Sequence, residues 1–461
     1  MPAPGHLSPR ARLAQLPYVA WIILYSAVLW GLFGALLGAV APDLRSQLGV
    51  SLGQVGSLMS LWVAGGAAGA FLGGTLARRY RPQRLLSTYA GLALLAVSAL
   101  LLASNWHAVA AALVLIGLCE TALFTLGHGL LAEISDDAEE RTRVLSLVDV
   151  CYSTGTILSP LLVSAAFVAI PSWRAPYAVF GLLTVTLWVG TRMRRRLDDV
   201  RFRHDEAAVG PAGAPGYRSL LAHPLVRAVL VSGVCSGFVE WGQYFWFVSY
   251  ANGGLGLPQQ TARLALDGLM VGMTLGRLWQ AFWKSRWTME QKLQGLSLLA
   301  TGAIGVLALL PRGSPALALA TMNVAAGLGV SVGFPILLGS ALRGVPEAAP
   351  RLSALLMLSF TLGSQLASLG LGQLAARVNL RATYIALALG GVALCLGVRR
   401  LSRLLRSMPP ADAPERRDES CGRLASCVRQ EVEPARVELL DPGLQAPALC
   451  VAAPVQEAGD R

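Results

Sequence analysis

The sequence predicts an all-α membrane protein of twelve transmembrane helices arranged as two six-helix bundles. Three observations predict it. Of the 461 residues, 54% are hydrophobic and only 14% charged, well below the quarter or so carried by soluble domains. Apolar runs recur at a length near the ~20 residues that cross about 30 Å of hydrocarbon. A long polar stretch at mid-chain separates six of those runs from six more.

In chain order the runs are 18–41, 54–77, 85–103, 108–134, 143–169, 175–192, 225–250, 261–283, 293–310, 315–342, 352–376 and 380–399. Local punctuation marks the breaks: Pro42 after the first, Asn105 between the third and fourth, Pro171 between the fifth and sixth, and Pro311, Gly313 and Pro315 between the ninth and tenth. The first run, preceded by Arg10 and Arg12, superficially resembles a secretory signal. It is longer than a signal core and no small-residue cleavage site follows, so it reads as the first span. The domain organisation is therefore a cytoplasmic segment 1–17, a first bundle 18–192, a cytoplasmic loop 193–224, a second bundle 225–400 and a tail 401–461. The tail turns to Pro, Asp and Glu with little periodicity and is expected to be disordered.

The net charge of +12 does not indicate nucleic acid, because the arginines sit in short clusters between apolar runs. Alternate connections carry Arg10 and Arg12, the Arg78 to Arg84 cluster, Arg141 with Arg143, the arginines from Arg192 to Arg227, and Arg399 to Arg406. The opposite side holds six: Arg45, Arg174, Arg263, Arg312, Arg377 and Arg381. By the positive-inside rule both termini lie in the cytoplasm, and the chain is expected in a cytoplasmic, inner-type membrane.

The halves repeat weakly: Gly117 and Leu118 match Gly327 and Leu328, Thr121 matches Ser331, Arg141 matches Arg351, and Leu145 matches Leu355. Parallel repeats of six helices belong to transporters that alternate access around a site near the bilayer midplane. Small-residue runs such as AGGAAGAFLGG in the second span allow the close helix approach such bundles need.

Several chemistries are excluded. Of 38 basic residues only Lys284 and Lys292 are lysines, and neither ends a phosphate-cradling G-x-x-x-x-G-K loop. Five scattered histidines and the spacing of the seven cysteines offer no metal site or disulfide framework. No zinc-protease or nucleophile-elbow motif occurs, so no enzyme activity and no cofactor are expected. The expected partners are lipid, protons and a small-molecule solute, with the chain acting as a monomer.

Ionisable side chains inside spans cost at least ~2.5 kcal/mol each on insertion scales and call for a reason. Glu120, in GLCETALFTLGHG, falls near the middle of the fourth span, and there it is a candidate proton-coupling residue or a hydrogen-bonding link between helices. Glu240, in GFVEWGQYFWFVSY, opens the same question in the seventh span. Its neighbours Trp241 and Gln243 suit a hydroxylated solute, although the aromatic cluster also fits an interfacial belt. His128, two turns beyond Glu120, is a candidate relay or a satisfied polar group. Asn323 and Gln365 are candidates for solute binding or helix bridging. Arg79, Asp149, Arg141, Arg143 and Arg277 are candidates for gating or structure, and Asp267 is another acid near a helix end.

The loop after the second span, GGTLARRYRPQRLL, resembles the signature of the major facilitator superfamily at Gly74, Leu76, Ala77, Arg79 and Arg84, with Arg78 where the signature carries an acid. GLCETA at 117–122, RVLSLVDVCYSTGTILSP at 143–160, the Glu240 region and GMTLGRLW at 272–279 are similar to the fucose:proton symporter branch. The resemblance covers about residues 15–400 and implies a major facilitator fold moving a small polar solute, with Glu120 matching a proton-coupling glutamate. Gly155, Ser159 and Pro160 partly match a motif of proton-driven exporters, so export of a siderophore, drug or metabolite is a second expectation. A non-transporting membrane sensor is a third.

Overall fold

The computed structural model describes residues 18–77, 79–132, 138–193, 215–282, 287–345 and 348–407. Helix accounts for nearly all of them. The long helices are α1 (Tyr18–Leu48), α2 (Leu52–Ala77), α3 (Pro82–Leu102), α4 (Trp106–Ala132), α5 (Ala138–Ala169) and α6 (Arg174–Met193). A short helix, Tyr217–Ala222, precedes the second set. That set is α7 (Pro224–Gly254, its last turn a π-helix), α8 (Gln259–Phe282), α9 (Met289–Leu309), α10 (Ala316–Gly344, interrupted at 331–332), α11 and α12 (Leu380–Arg406). The helix α11 runs as Ala349–Gln365, a π turn Leu366–Gly370, and Leu371–Arg377.

Ten of these are long and apolar enough to cross a membrane; α6 and α8 are outside the ten, α8 carrying Arg263, Asp267 and Arg277.

Local chemistry explains the starts. Ser51 and Gln54 cap each other reciprocally at the entry to α2, and Thr288 with Gln291 does the same for α9. Each pair satisfies two donors that a helix N-terminus leaves without partners. Asn105 accepts the Ala108 N–H at 2.9 Å and Asn379 the Ala382 N–H at 2.7 Å, while Pro82 and Pro224 occupy first-turn positions where a missing N–H is harmless.

Two boundaries differ from the sequence expectation. Pro42 does not end α1: the helix continues to Leu48 with Pro42 inside it. A proline forfeits one hydrogen bond, but the turn beyond is held by the burial of Asp43 and Leu44. Likewise α12 runs past residue 400 to Arg406. Leu401 and Leu405 stay buried while Arg399, Arg400, Arg403 and Arg406 do not, and Gln294 donates to Ser402 across to α9 at 2.9 Å. Most of the expected central loop and tail lies outside the described residues.

Within the first bundle α1 packs on α5, α2 on α4, and α3 on α4 and α6; in the second α7 packs on α11, α8 on α10, and α9 on α10 and α12. The halves use the same device. A Cβ built on Gly31 would stand 2.0 Å from the Tyr152 carbonyl oxygen, and one on Gly155 2.0 Å from that of Val28. The equivalent α7–α11 crossing repeats the reciprocity, with Gly237 against the Phe360 carbonyl at 2.4 Å and Gly363 against Val234 at 2.1 Å. Lipid supplies no hydrophobic drive between helices, so this backbone proximity is what gives packing energy.

Candidate functional site

Three helices from the two bundles converge near mid-depth. Tyr152, Ser153 and Thr156 of α5, Glu240, Trp241 and Tyr244 of α7, and Met273, Thr274 and Arg277 of α8 line one cavity. Each helix contributes positions i, i+1 and i+4, which lie on one helical face. The cavity volume is about 10 Å³, room for roughly one water molecule. Its walls belong to different bundles, so any separation of the bundles enlarges it.

Most of the lining side chains carry a polar group, although much of the surface they present is apolar. Arg277 donates through Nη1 to Ser153 Oγ at 2.9 Å, a bond from the second bundle to the first. Glu240 is half-buried and feels the field of Arg277, but the two form no ion pair, and the carboxylate has no hydrogen-bond partner among the described residues. The hydroxyls of Tyr244 and Tyr152 approach Gly34 of α1, where an added Cβ would lie 3.7 and 3.9 Å from them.

Glu120 stands one aromatic ring away from this cavity. It is 6% exposed, and its Oε2 accepts a hydrogen bond from Trp62 Nε1 at 3.4 Å. Its Oε1 is buried without a partner, as is the hydroxyl of nearby Tyr177. Trp62 meets Trp241 edge-on at 6.0 Å, so a single indole touches both the acid of the first bundle and the cavity wall of the second. A buried carboxylate oxygen with no partner costs on the order of 1–3 kcal/mol, more if charged. The fold retains that cost inside the first bundle, one indole from the interface.

The remaining sequence candidates divide. Trp241 and Arg277 are in the cavity lining with Glu240. Gln243 and Asn323 are not: both are fully buried, Gln243 Nε2 donates to Asn323 Oδ1 at 2.6 Å, and Asn323 Nδ2 donates to the Ala265 carbonyl at 3.0 Å. This chain of amides ties α7, α10 and α8 together inside the second bundle. His128 contacts the Phe124 carbonyl at 3.0 Å and lies tilted against the Phe124 ring, which meets Trp30, which in turn meets Tyr152. Gln365 hydrogen-bonds Ser60 through both its amide atoms, linking α11 to α2. Arg79 is exposed at the end of α2. The side chains of Asp149, Arg141 and Arg143 lie outside the described residues.

The bundles also meet at the end opposite the chain termini. Asp43 of α1 and Arg263 of α8 form an ion pair there, 5% and 2% exposed. Arg263 also donates to the Ala39 carbonyl at 3.2 Å and stacks over Phe167 of α5 at 4.2 Å. Gly56 of α2 lies against the Ser368 carbonyl of α11, and Gly38 of α1 against the Tyr244 carbonyl of α7.

Sequence reasoning missed the acid of this pair, because ending the first helix at Pro42 placed Asp43 in a connection. Arg263, counted with the basic residues of that side, stands in the first turns of α8, as the eighth run already allows. The available signal was a lone acid and a lone arginine of opposite sign near helix ends on the same side. Tyr152, Ser153 and Thr156 were missed because nothing in type or spacing separates them from ordinary helix residues.

Two six-helix bundles with a cavity between them that holds an acid, an arginine and several hydroxyls define a membrane transporter. The Major Facilitator Superfamily profile matches residues 22–368, and the chain belongs to that superfamily, whose members are transporters rather than enzymes. No curated protein sequence matches it. Solved structures share its fold. A point mutant of the nucleoside transporter NupG is similar with a TM-score of 0.68 at 12% identity, covering 84% of this chain and 100% of that one. A bacterial homologue of the human lysosomal transporter Spinster, in an inward-facing and occupied conformation, gives 0.67 at 14%, covering 86% and 100%. A mutant of the peptide transporter POT gives 0.68 at 14%, covering 84% and 94%.

Proposed function

We propose that the chain is a proton-coupled secondary transporter of a small polar solute in the cytoplasmic (inner) membrane, with both termini in the cytoplasm. The observation that carries this reading is the position of Glu120. A buried carboxylate with one unpartnered oxygen, separated by one indole from a cavity between the bundles, is suited to take a proton when that cavity opens to one side and release it when it opens to the other. Its match to the coupling glutamate of the fucose:proton symporter branch supports the same role.

In this reading Glu240, Trp241, Arg277 and the tyrosines Tyr152 and Tyr244 contact the solute. Gln243 and Asn323 rigidify the second bundle, and Gln365 joins Asp43 and Arg263 in closing the external end. Since arginine clusters place the termini inside, the conformation described is closed to the exterior.

Purified protein in proteoliposomes with an imposed pH gradient tests the proposal. Solute accumulates or is expelled against its own gradient, and the sign assigns uptake or export. Flux that ignores the pH gradient overturns proton coupling.

A further inference from the structure

We propose that the solute is a small zwitterion whose cationic group meets Glu240 and whose anionic group meets Arg277. This rests on the transport reading above and adds to it the charge class of the cargo.

The cavity wall presents one side chain of each sign, Glu240 from α7 and Arg277 from α8. Away from bulk water, opposite charges sharing one space are expected to pair, because an unpaired charge carries a desolvation cost that nothing offsets. Here they do not pair. Arg277 has its described hydrogen bond to a neutral hydroxyl, Ser153, which leaves most of the guanidinium's five donors uncommitted. Glu240 is half-buried and accepts no hydrogen bond from the described residues. An acceptor and a donor fork thus face the same space and are held apart by the helices that carry them.

The cargo's charge follows from what would leave least unmatched. A neutral sugar leaves two charges without counter-ions. A simple amine matches Glu240 and adds nothing for Arg277; a simple carboxylic acid does the reverse. A molecule bearing both groups satisfies both walls, and Thr156, Thr274 and Tyr152 remain for its polar body, with the Trp241 ring alongside. The space is far too small for such a molecule while the bundles are this close, so binding accompanies their separation at this level.

The test is thermal unfolding of the purified full-length protein with four matched sets of probes. These are the common amino acids and simple dipeptides, the amines lacking their carboxyl group, the acids lacking their amino group, and neutral hexoses with nucleosides. Stabilisation by a bound ligand follows mass action. The expected result is stabilisation by one or more zwitterions, with the matched amine and acid binding at least about tenfold more weakly. In Glu240→Gln the zwitterion loses its advantage over its matched acid, which binds no more weakly than to wild type because a like charge is gone. In Arg277→Gln the zwitterion falls to the level of the amine. A hexose, a nucleoside or a singly charged probe as the strongest ligand overturns the proposal, as does a panel in which no zwitterion stabilises. The wild-type panel stands even if a variant fails to fold. A neutral solute driven by a pH gradient would sink the zwitterion while sparing proton coupling; a zwitterion that binds and moves without regard to pH would do the opposite.

Discussion

Asp43 of α1 and Arg263 of α8 are ion-paired across the bundle interface and almost wholly buried. Removing one partner of such a pair leaves an uncompensated charge, at about 3–5 kcal/mol. That cost falls on the conformation in which the two helices touch. Asp43→Asn should therefore shift the population by more than tenfold toward the state opened at this end. Cysteine labelling at Ala39, fully buried where its carbonyl accepts from Arg263, reads it out: the variant should label faster from the side opposite the termini, and the double exchange Asp43→Arg with Arg263→Asp should restore slow labelling. Equal labelling in wild type and Asp43→Asn rejects a closing role.

Glu120→Gln keeps the shape of the side chain and the bond from Trp62 but removes the exchangeable proton. Flux driven by a pH gradient should fall to background, while exchange of labelled for unlabelled solute, which needs no net proton movement, should continue at a rate within a few-fold of wild type. Gradient-driven flux that survives the substitution removes Glu120 from the coupling step.

What was legible in the sequence follows from which signals are local. Membrane length and charge asymmetry are properties of short windows, so the helices were readable one by one, and Glu120, Glu240 and Arg277 stood out because a charge inside an apolar run is conspicuous. Two kinds of information were not local. Asp43 is conspicuous only if α1 continues past Pro42, and what stabilises that last turn sits in α8, more than two hundred residues away. Gln243 and Asn323 carry the right chemistry for either a solute or each other, and only the crossing of α7 with α10 decides that they face each other.

The Gln243–Asn323 pair should accordingly act on stability rather than on recognition. Gln243→Leu removes the donor to a buried carbonyl oxygen and leaves Asn323 Oδ1 without that partner, at a cost of about 1–3 kcal/mol. The expected outcome is a lower melting temperature with solute KM within twofold of wild type. A raised KM with an unchanged melting temperature would return Gln243 to the solute site.

Helix crossings make the sharpest structural prediction, because position within one residue type separates the outcomes. Gly31 has no room for a methyl group: the atom that would be met, at 2.0 Å, is the Tyr152 carbonyl oxygen, which is backbone and has no rotamer into which to retreat. Gly31→Ala must therefore push α1 away from α5, loosening the crossing and moving Tyr152 and Ser153 out of the cavity wall. Gly302 of α9 meets nothing within 4 Å of the same added atom, and in a helix interior the change to alanine is favourable by roughly 0.5–1 kcal/mol. Gly302→Ala is thus expected to be neutral or slightly stabilising, and Gly31→Ala to lower the melting temperature sharply and cut the yield of monodisperse protein. If the two substitutions unfold alike, close backbone approach is not what holds the first bundle together.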